Sequence, residues 1–180
     1  MTEPELPSLS IAPDALRLTG SILREAGRFE SCCFWFGPRG SAGSGTVTAI
    51  VIPDQENRPG NYHVTAEAML QVAAAVRDRG WRNLAQIHSH PGDDVHHSTY
   101  DDQMANSRRA LSLVFPRYGY FTSAWRWRGW LWCLWPTEFP GTIGVHAFVR
   151  NRWAYLDPRE RAAAIRIAFV GGPEIIDLRK

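Results

Sequence analysis

The sequence predicts an α/β domain in which helices pack against a sheet, and three observations carry that expectation. Apolar residues recur at helical spacing over residues 13–26 and again over 65–80. Runs of strand length, 29–37, 46–52 and 83–90, lie between and after them, rich in β-branched and aromatic residues or alternating with period two. The order strand, helix, strand through residues 46–90 is the third, because it sets helices on a sheet rather than on one another. No linker and no internal repeat interrupts the sequence, so residues 1–180 read as one domain, long enough to bury its own core.

Residues 1–12 carry Pro4 and Pro7 and read as an extended lead-in, with at most a short strand at Leu9, Ser10 and Ile11. Pro13 suits a first helical position, and Leu16, Leu18, Ile22 and Leu23 give a stripe up to Gly27, which predicts a helix over 13–26. Residues 29–37 have one charge, Glu30, at their start and are otherwise apolar up to Gly37, the mark of a buried strand. A Gly/Ser-rich connection over 38–45 leads to a β-branched strand over 46–52, ended by Pro53. Residues 55–61 are polar and turn-forming, a loop that could border a substrate groove.

Thr65 caps the second helix, which carries Met69, Val72, Ala73 and Val76 on one face and ends at Gly80. A third helix over 98–108 and a strand over 111–115 follow. Five of the eight tryptophans lie in 118–135, where 130–135 has no polar face and reads as a strand covered on both sides. A strand over 143–149 turns at Arg150, Asn151 and Arg152 into 153–156. Asp157 caps and Pro158 opens a short helix, and Ala163, Ile165, Ile167 and Phe169 continue apolar to Gly171 and Gly172, so 157–180 form a C-terminal helix and tail.

A content of 44% apolar and 21% charged residues is ordinary for a soluble globular protein. The net charge of +2 is too small to imply nucleic acid or an anionic membrane surface. Arg126 and Arg128, interleaved with Trp125, Trp127 and Trp130, would suit stacking on single strands, yet a buried hairpin has the same pattern. The expectation is therefore no nucleic-acid partner. No apolar run approaches the ~20 residues of a membrane span, and the first residues lack the layout of a signal peptide. A cytoplasmic location without a membrane partner is expected. Cys32, Cys33 and Cys133 sit in apolar runs as buried thiols, and an odd count with two adjacent residues gives no disulfide framework.

The chemistry concentrates in residues 88–101. Alternation before this stretch puts His88 and His90 on one strand face and Ser89 on the other. At about 3.3 Å rise per residue their Cα atoms lie roughly 6.6 Å apart, which lets both rings converge on one ion. Pro91 and Gly92 stop the strand. Ser98 and Asp101 have the spacing of a capping box, and a capped first turn would also hold the Asp101 carboxylate rigidly, as a ligand needs. Two imidazoles and a carboxylate leave a fourth tetrahedral position open, so the expected cofactor is one zinc ion with a bound water. Such a site also needs a proton acceptor and a donor facing the oxyanion. Ser98 suits the donor, and the base must come from elsewhere in the chain.

The spacing H-x-H-x7-S-x2-D, with Pro91 after the second histidine, resembles the JAMM signature of the JAB/MPN metalloprotease family, in particular its bacterial single-domain members. The resemblance covers about residues 13–135 and implies a mixed, curved central sheet flanked by helices, the MPN/JAB or cytidine deaminase-like fold. It implies His88, His90 and Asp101 as metal ligands and Ser98 as oxyanion donor. The family's catalytic glutamate heads a strand after the first helix, which matches Glu30 and implies that it is the base; Glu25, inside the helix, is the runner-up. The implied activity is zinc-dependent hydrolysis at the C-terminus of a ubiquitin-like protein. That protein or its conjugate would be the substrate, with E1-like and E2-like enzymes as further partners.

At Asp93, Asp94, His96, His97 and Asp102 the family pattern leaves the residue type free, so these read as loop residues near the site, Asp102 turned about 100° from the ligand on its helix. His63 and His146 default to solvent or core. Two other readings keep the fold: a peptidase acting on a sulfur-carrier or phage tail protein, and a scaffold without catalysis. The presence of all four metal-site residues favours an enzyme.

Overall fold

A computed structural model describes residues 6–38, 40, 44–105, 107–120 and 141–180. In chain order the elements are β1 (Ser8–Ile11), α1 (Pro13–Glu25), β2 (Cys32–Pro38), β3 (Ser44–Thr46), β4 (Ala49–Ile52), β5 (Glu56–Arg58) and β6 (Asn61–His63). Then come α2 (Ala66–Val76), β7 (Trp81–Ser89), α3 (Thr99–Met104), β8 (Leu111–Phe115), β9 (Gly144–Val149), β10 (Arg152–Tyr155), α4 (Pro158–Ala164), β11 (Ile165–Ile167) and β12 (Glu174–Asp177). Seven strands form a mixed sheet in the order β10-β9-β8-β7-β2-β4-β12. A parallel trio β11-β1-β3 and the hairpin β5-β6 complete the sheets.

Strand parity assigns the two faces of the central sheet. Cys33 and Trp35 of β2, Ala85 and Ile87 of β7, Leu111, Leu113 and Phe115 of β8, and Val145 and Ala147 of β9 share one apolar cluster with Leu16 and Leu23 of α1. Trp35 is fully buried there, and its indole N–H donates to Thr19 Oγ1 at 2.9 Å, which donates in turn to the Ala15 carbonyl at 2.7 Å. The other face packs Phe34, Phe36, Ala49 and Val51 against Val72 and Val76 of α2. The buried strand residues of that second cluster come from β2 and β4, with Trp81 of β7 and Ile176 of β12 packed at its edges. The same-parity positions further along β7, β8 and β9, which include His88, Ser112 and His146, are left for the loop after β7 and for α3. Gly144 lets this loop lie close on the sheet, since a Cβ there would stand 2.1 Å from the Val95 carbonyl oxygen.

Several expectations need correction. The strand predicted over 46–52 is two: β3 pairs with β1, Val47 N–H donates to the Ser10 carbonyl, and only β4 enters the central sheet. The polar stretch 55–61 is not a loop but runs into the hairpin β5-β6. The third helix ends at Met104, short of the predicted 108. The apolar residues after α4 form β11, and the tail contributes β12, which pairs in parallel with β4 from Glu174↔Ala49 to Asp177↔Ile52. The turn between β9 and β10 places Arg150 and Asn151 at φ 50° and 63°, the left-handed pair that a two-residue hairpin demands. The strand expected over 130–135 and the Arg/Trp pattern of 125–130 lie outside the described residues. Among the described residues no helix is long and apolar enough to cross a membrane.

Candidate metal centre

His88 and His90 come to their places by strand register. β7 is flanked by β2 and β8, with His88 opposite Cys32 on one side and Val114 on the other. Ser98 is the N-cap of α3, and both halves of the capping box form: Asp101 N–H donates to Ser98 Oγ at 3.2 Å, and Ser98 N–H donates to Asp101 Oδ2 at 2.7 Å. This turns the Asp101 carboxylate toward the two rings. His88 Nε2 lies 3.3 Å from Asp101 Oδ1, His90 Nε2 lies 3.3 Å from Asp101 Oδ2, and the two Nε2 atoms are 3.2 Å apart. The two histidines meet different oxygens of Asp101, and one donor atom from each of the three residues lies within 4.8 Å of the other two, close enough for a single metal ion to gather all three side chains. Among the described residues it is the one group of three or more such side chains that could hold a metal.

The surroundings favour ligation. His90 Nδ1 is 2.9 Å from the Asp94 carbonyl, which calls for a proton on Nδ1 and leaves the Nε2 lone pair free for a metal. Burial alone would raise the Asp101 pKa, but His88, His90 and the Ser98 hydroxyl outweigh it and hold the carboxyl well below the usual carboxylate range. Burial works against protonation of His90, but the Asp101 carboxylate, the Asp94 carbonyl and Glu30 outweigh it and raise its pKa, so without metal a proton competes for the same ring.

A strained turn grips the backbone of His90 from both sides. His90 N–H donates to the Phe115 carbonyl at 2.8 Å, Tyr118 N–H donates to the His90 carbonyl at 2.8 Å, and Arg117 N–H donates to Gly92 O at 2.9 Å. Arg117, Tyr118 and Gly119 all have positive φ, 50°, 55° and 94°. For the two non-glycine residues that costs on the order of 1–3 kcal/mol each, a cost that persists where the surroundings over-determine the backbone. Arg24 of α1 closes the far side by donating to the Gly119 carbonyl at 2.9 Å.

Glu30 stands just before β2, and the antiparallel register that pairs Cys32 with His88 carries Glu30 opposite His90 on the same sheet face. A reciprocal pair fixes this start: Ser31 N–H donates to Ser89 Oγ at 3.2 Å, and Ser89 N–H donates to the Ser31 carbonyl at 3.1 Å. Glu30 is only 6% exposed. Burial raises its pKa, His90 lowers it and Asp101 raises it further, from 4.5 to about 7. Glu25, by contrast, is exposed on α1 and pairs with Arg179 at 2.9 Å.

The sign of this shift gives a stability prediction for the metal-free protein. A carboxyl whose folded pKa lies above its unfolded value holds its proton more tightly when folded, so stability falls as pH rises from 4.5 to about 7 and stays lower above that. Metal-free Glu30→Gln is therefore expected to be more stable than metal-free wild type at pH 8, by up to about 3 kcal/mol, with the gap closing toward pH 4. Thermal unfolding of both proteins across that range measures it.

Three further residues close the site and carry no signal in the motif. Tyr62 of β6 lies with its ring 5.6 Å from that of His88, and its carbonyl accepts from Tyr100 Oη at 3.1 Å. Gln55 anchors the same hairpin: its amide accepts from Cys32 N–H at 2.8 Å and donates to the Cys32 carbonyl at 2.9 Å. Continuing the β2-β4 register brings Pro53 opposite Cys32, and because proline cannot donate to the ladder, the Gln55 side chain replaces it. His97 lies in the loop before α3 as expected, but its side chain is buried and stacks on His146 with ring centroids 3.8 Å apart. His96 does remain exposed, as do Asp93 and Asp94.

Fold and centre together define a mixed-sheet α/β protein with a His-His-Asp group able to hold a metal ion. The family model for prokaryotic homologues of the JAB domain matches residues 15–129, and the chain belongs to that family. A solution structure of a protein from Desulfitobacterium hafniense is similar at a TM-score of 0.60 and 15% identity, over 89% of this chain and 92% of that one. A second, of a protein from Salinibacter ruber, is similar at 0.57 and 19% identity, over 91% and 94%. At those identities the likeness is one of fold alone. No curated protein matches the sequence.

Proposed function

We propose that this protein is a zinc metallopeptidase of the JAMM type that hydrolyses the bond following the C-terminus of a ubiquitin-like protein, in a precursor or in a conjugate. Its setting would be a bacterial cytoplasmic pathway with E1-like and E2-like enzymes. The observation that carries the enzymatic part is the close grouping of His88, His90 and Asp101, with the buried Glu30 carboxyl on the same face. Imidazole and carboxylate donors suit zinc. The substrate class rests on the likeness of the 88–101 spacing to the JAMM signature.

His88, His90 and Asp101 would hold the zinc, which when bound supplies a Lewis acid and lowers the pKa of water to roughly 7. Glu30, buried on the same sheet face as His90, takes the proton of the attacking water and delivers it to the departing amine. Ser98 Oγ donates to Asp101 Oδ2 at 2.7 Å, and rotation of the hydroxyl about Cβ–Oγ, which leaves the cap oxygen in place, turns this proton to the substrate carbonyl oxygen as charge develops there. Ser98→Ala is expected to lower kcat about 10²-fold, the typical loss of one oxyanion donor, and to cost about 1 kcal/mol of stability through the lost N-cap. Steady-state kinetics and urea unfolding separate the two effects.

The reading is tested with a ubiquitin-like domain fused through its C-terminus to a short peptide, or joined to a lysine side chain. Intact-mass analysis is expected to find a single cut directly after the last ubiquitin-like residue when zinc-loaded protein is added. Absence of any cut, with the E1-like and E2-like enzymes also supplied, contradicts it.

A further inference from the structure

We propose that His97 is a positioning residue of the metal centre, a buried tether that fixes the start of α3, and with it Ser98 and Asp101, against the strands beside His88. The inference rests on the metallopeptidase reading above. α3 has six residues, far too few to be stable alone, so its place must come from tertiary contacts. Asp101 meets the rings of His88 and His90, Tyr100 reaches the Tyr62 carbonyl, and His97 directly precedes the cap.

The His97 side chain is 4% exposed, and each of its contacts reaches a different element. Nδ1 lies 2.9 Å from Asp102 Oδ1 on α3, and Nε2 lies 2.9 Å from Ser112 Oγ on β8. The carboxylate calls for a proton on Nδ1, so Nε2 accepts from the Ser112 hydroxyl. The ring stacks on His146 of β9, meets Trp153 of β10 edge-on at 5.4 Å and lies 5.8 Å from the His88 ring. The His97 backbone N–H donates to His146 Nε2 at 3.3 Å. One side chain thus joins the helix bearing a ligand to the sheet bearing the other two.

Ser112, His97 and Asp102 also follow the connectivity of a hydrolytic triad, and the geometry argues against that use. Ser112 is 2% exposed, sealed beneath the ring, whereas the Asp102 side chain at the other end is 51% exposed. A nucleophile needs the reverse arrangement. The array serves to hold, not to attack.

The test compares wild type with His97→Leu, which keeps the volume and deletes both hydrogen bonds, with Ser112→Ala and with His97→Gln. Zinc affinity is read by chelator competition, ligand geometry by the visible spectrum of the cobalt-substituted protein, and the fold by thermal unfolding without metal. His97→Leu is expected to weaken zinc binding about 10–100-fold and to alter the cobalt bands while the metal-free protein still unfolds cooperatively. Ser112→Ala should weaken binding in the same direction, and His97→Gln should recover most of it. Unchanged affinity and cobalt bands in His97→Leu overturn the proposal; if that variant does not fold, unchanged affinity in Ser112→Ala does so. A wild type that binds no zinc overturns the parent reading as well, and that outcome shows in the wild type alone.

Discussion

Replacing Glu30 by glutamine is expected to lower kcat/KM for amide cleavage by about 10³-fold, within the 10²–10⁴ range of a lost general base, with zinc still bound. Glutamine keeps the volume and the polar oxygen but can neither accept the proton nor pass it on. Glu30 is not among the three grouped ligands, so metal content should not change. Kinetics together with elemental analysis check both halves. The expectation sharpens when set beside stability: the same variant should be the more stable protein without metal at pH 8, because it removes a buried charge. Loss of activity with gain of stability is the pattern of a residue kept for chemistry. Loss of both would point to a structural role.

Removal of one ligand should act in the opposite sense. His88→Ala is expected to abolish zinc binding at micromolar metal and, with it, cleavage. Zinc at about 1,000 times its dissociation constant stabilises a folded protein by roughly 4 kcal/mol. At about 2–4 °C per kcal/mol for a chain of this size, wild type should gain on the order of 10 °C in Tm on zinc addition and lose it with a chelator. His88→Ala should show no such gain. Calorimetry with and without metal reads it directly.

Much of the site was legible because its geometry is local. His88 and His90 are two residues apart on a strand, and Ser98 and Asp101 are three apart at a helix start, so strand parity and cap chemistry fix each pair. Glu30 was reachable only through the family resemblance, since it meets His90 by strand register across sixty residues, and register does not show in one sequence. His97 was missed for a related reason. Its partners Ser112, His146 and Trp153 come from three later strands, and nothing in the spacing of 88–101 distinguishes it from exposed His96. The main errors in the fold have physical causes too. The run 46–52 looks continuous by propensity, yet β3 and β4 belong to different sheets, and residues 55–61 are too polar to signal a strand although Gln55 substitutes for Pro53 and sets the hairpin against β2.

The most direct test of a zinc peptidase centred on His88, His90, Asp101 and Glu30 is cleavage of a ubiquitin-like fusion in ¹⁸O-water by metal-free and zinc-reconstituted protein, followed by mass analysis of the product. Cleavage is expected only after zinc is restored, with one ¹⁸O in the new C-terminal carboxylate of the ubiquitin-like product. Cleavage that persists without metal, or no cleavage by protein shown to carry one zinc, would contradict it.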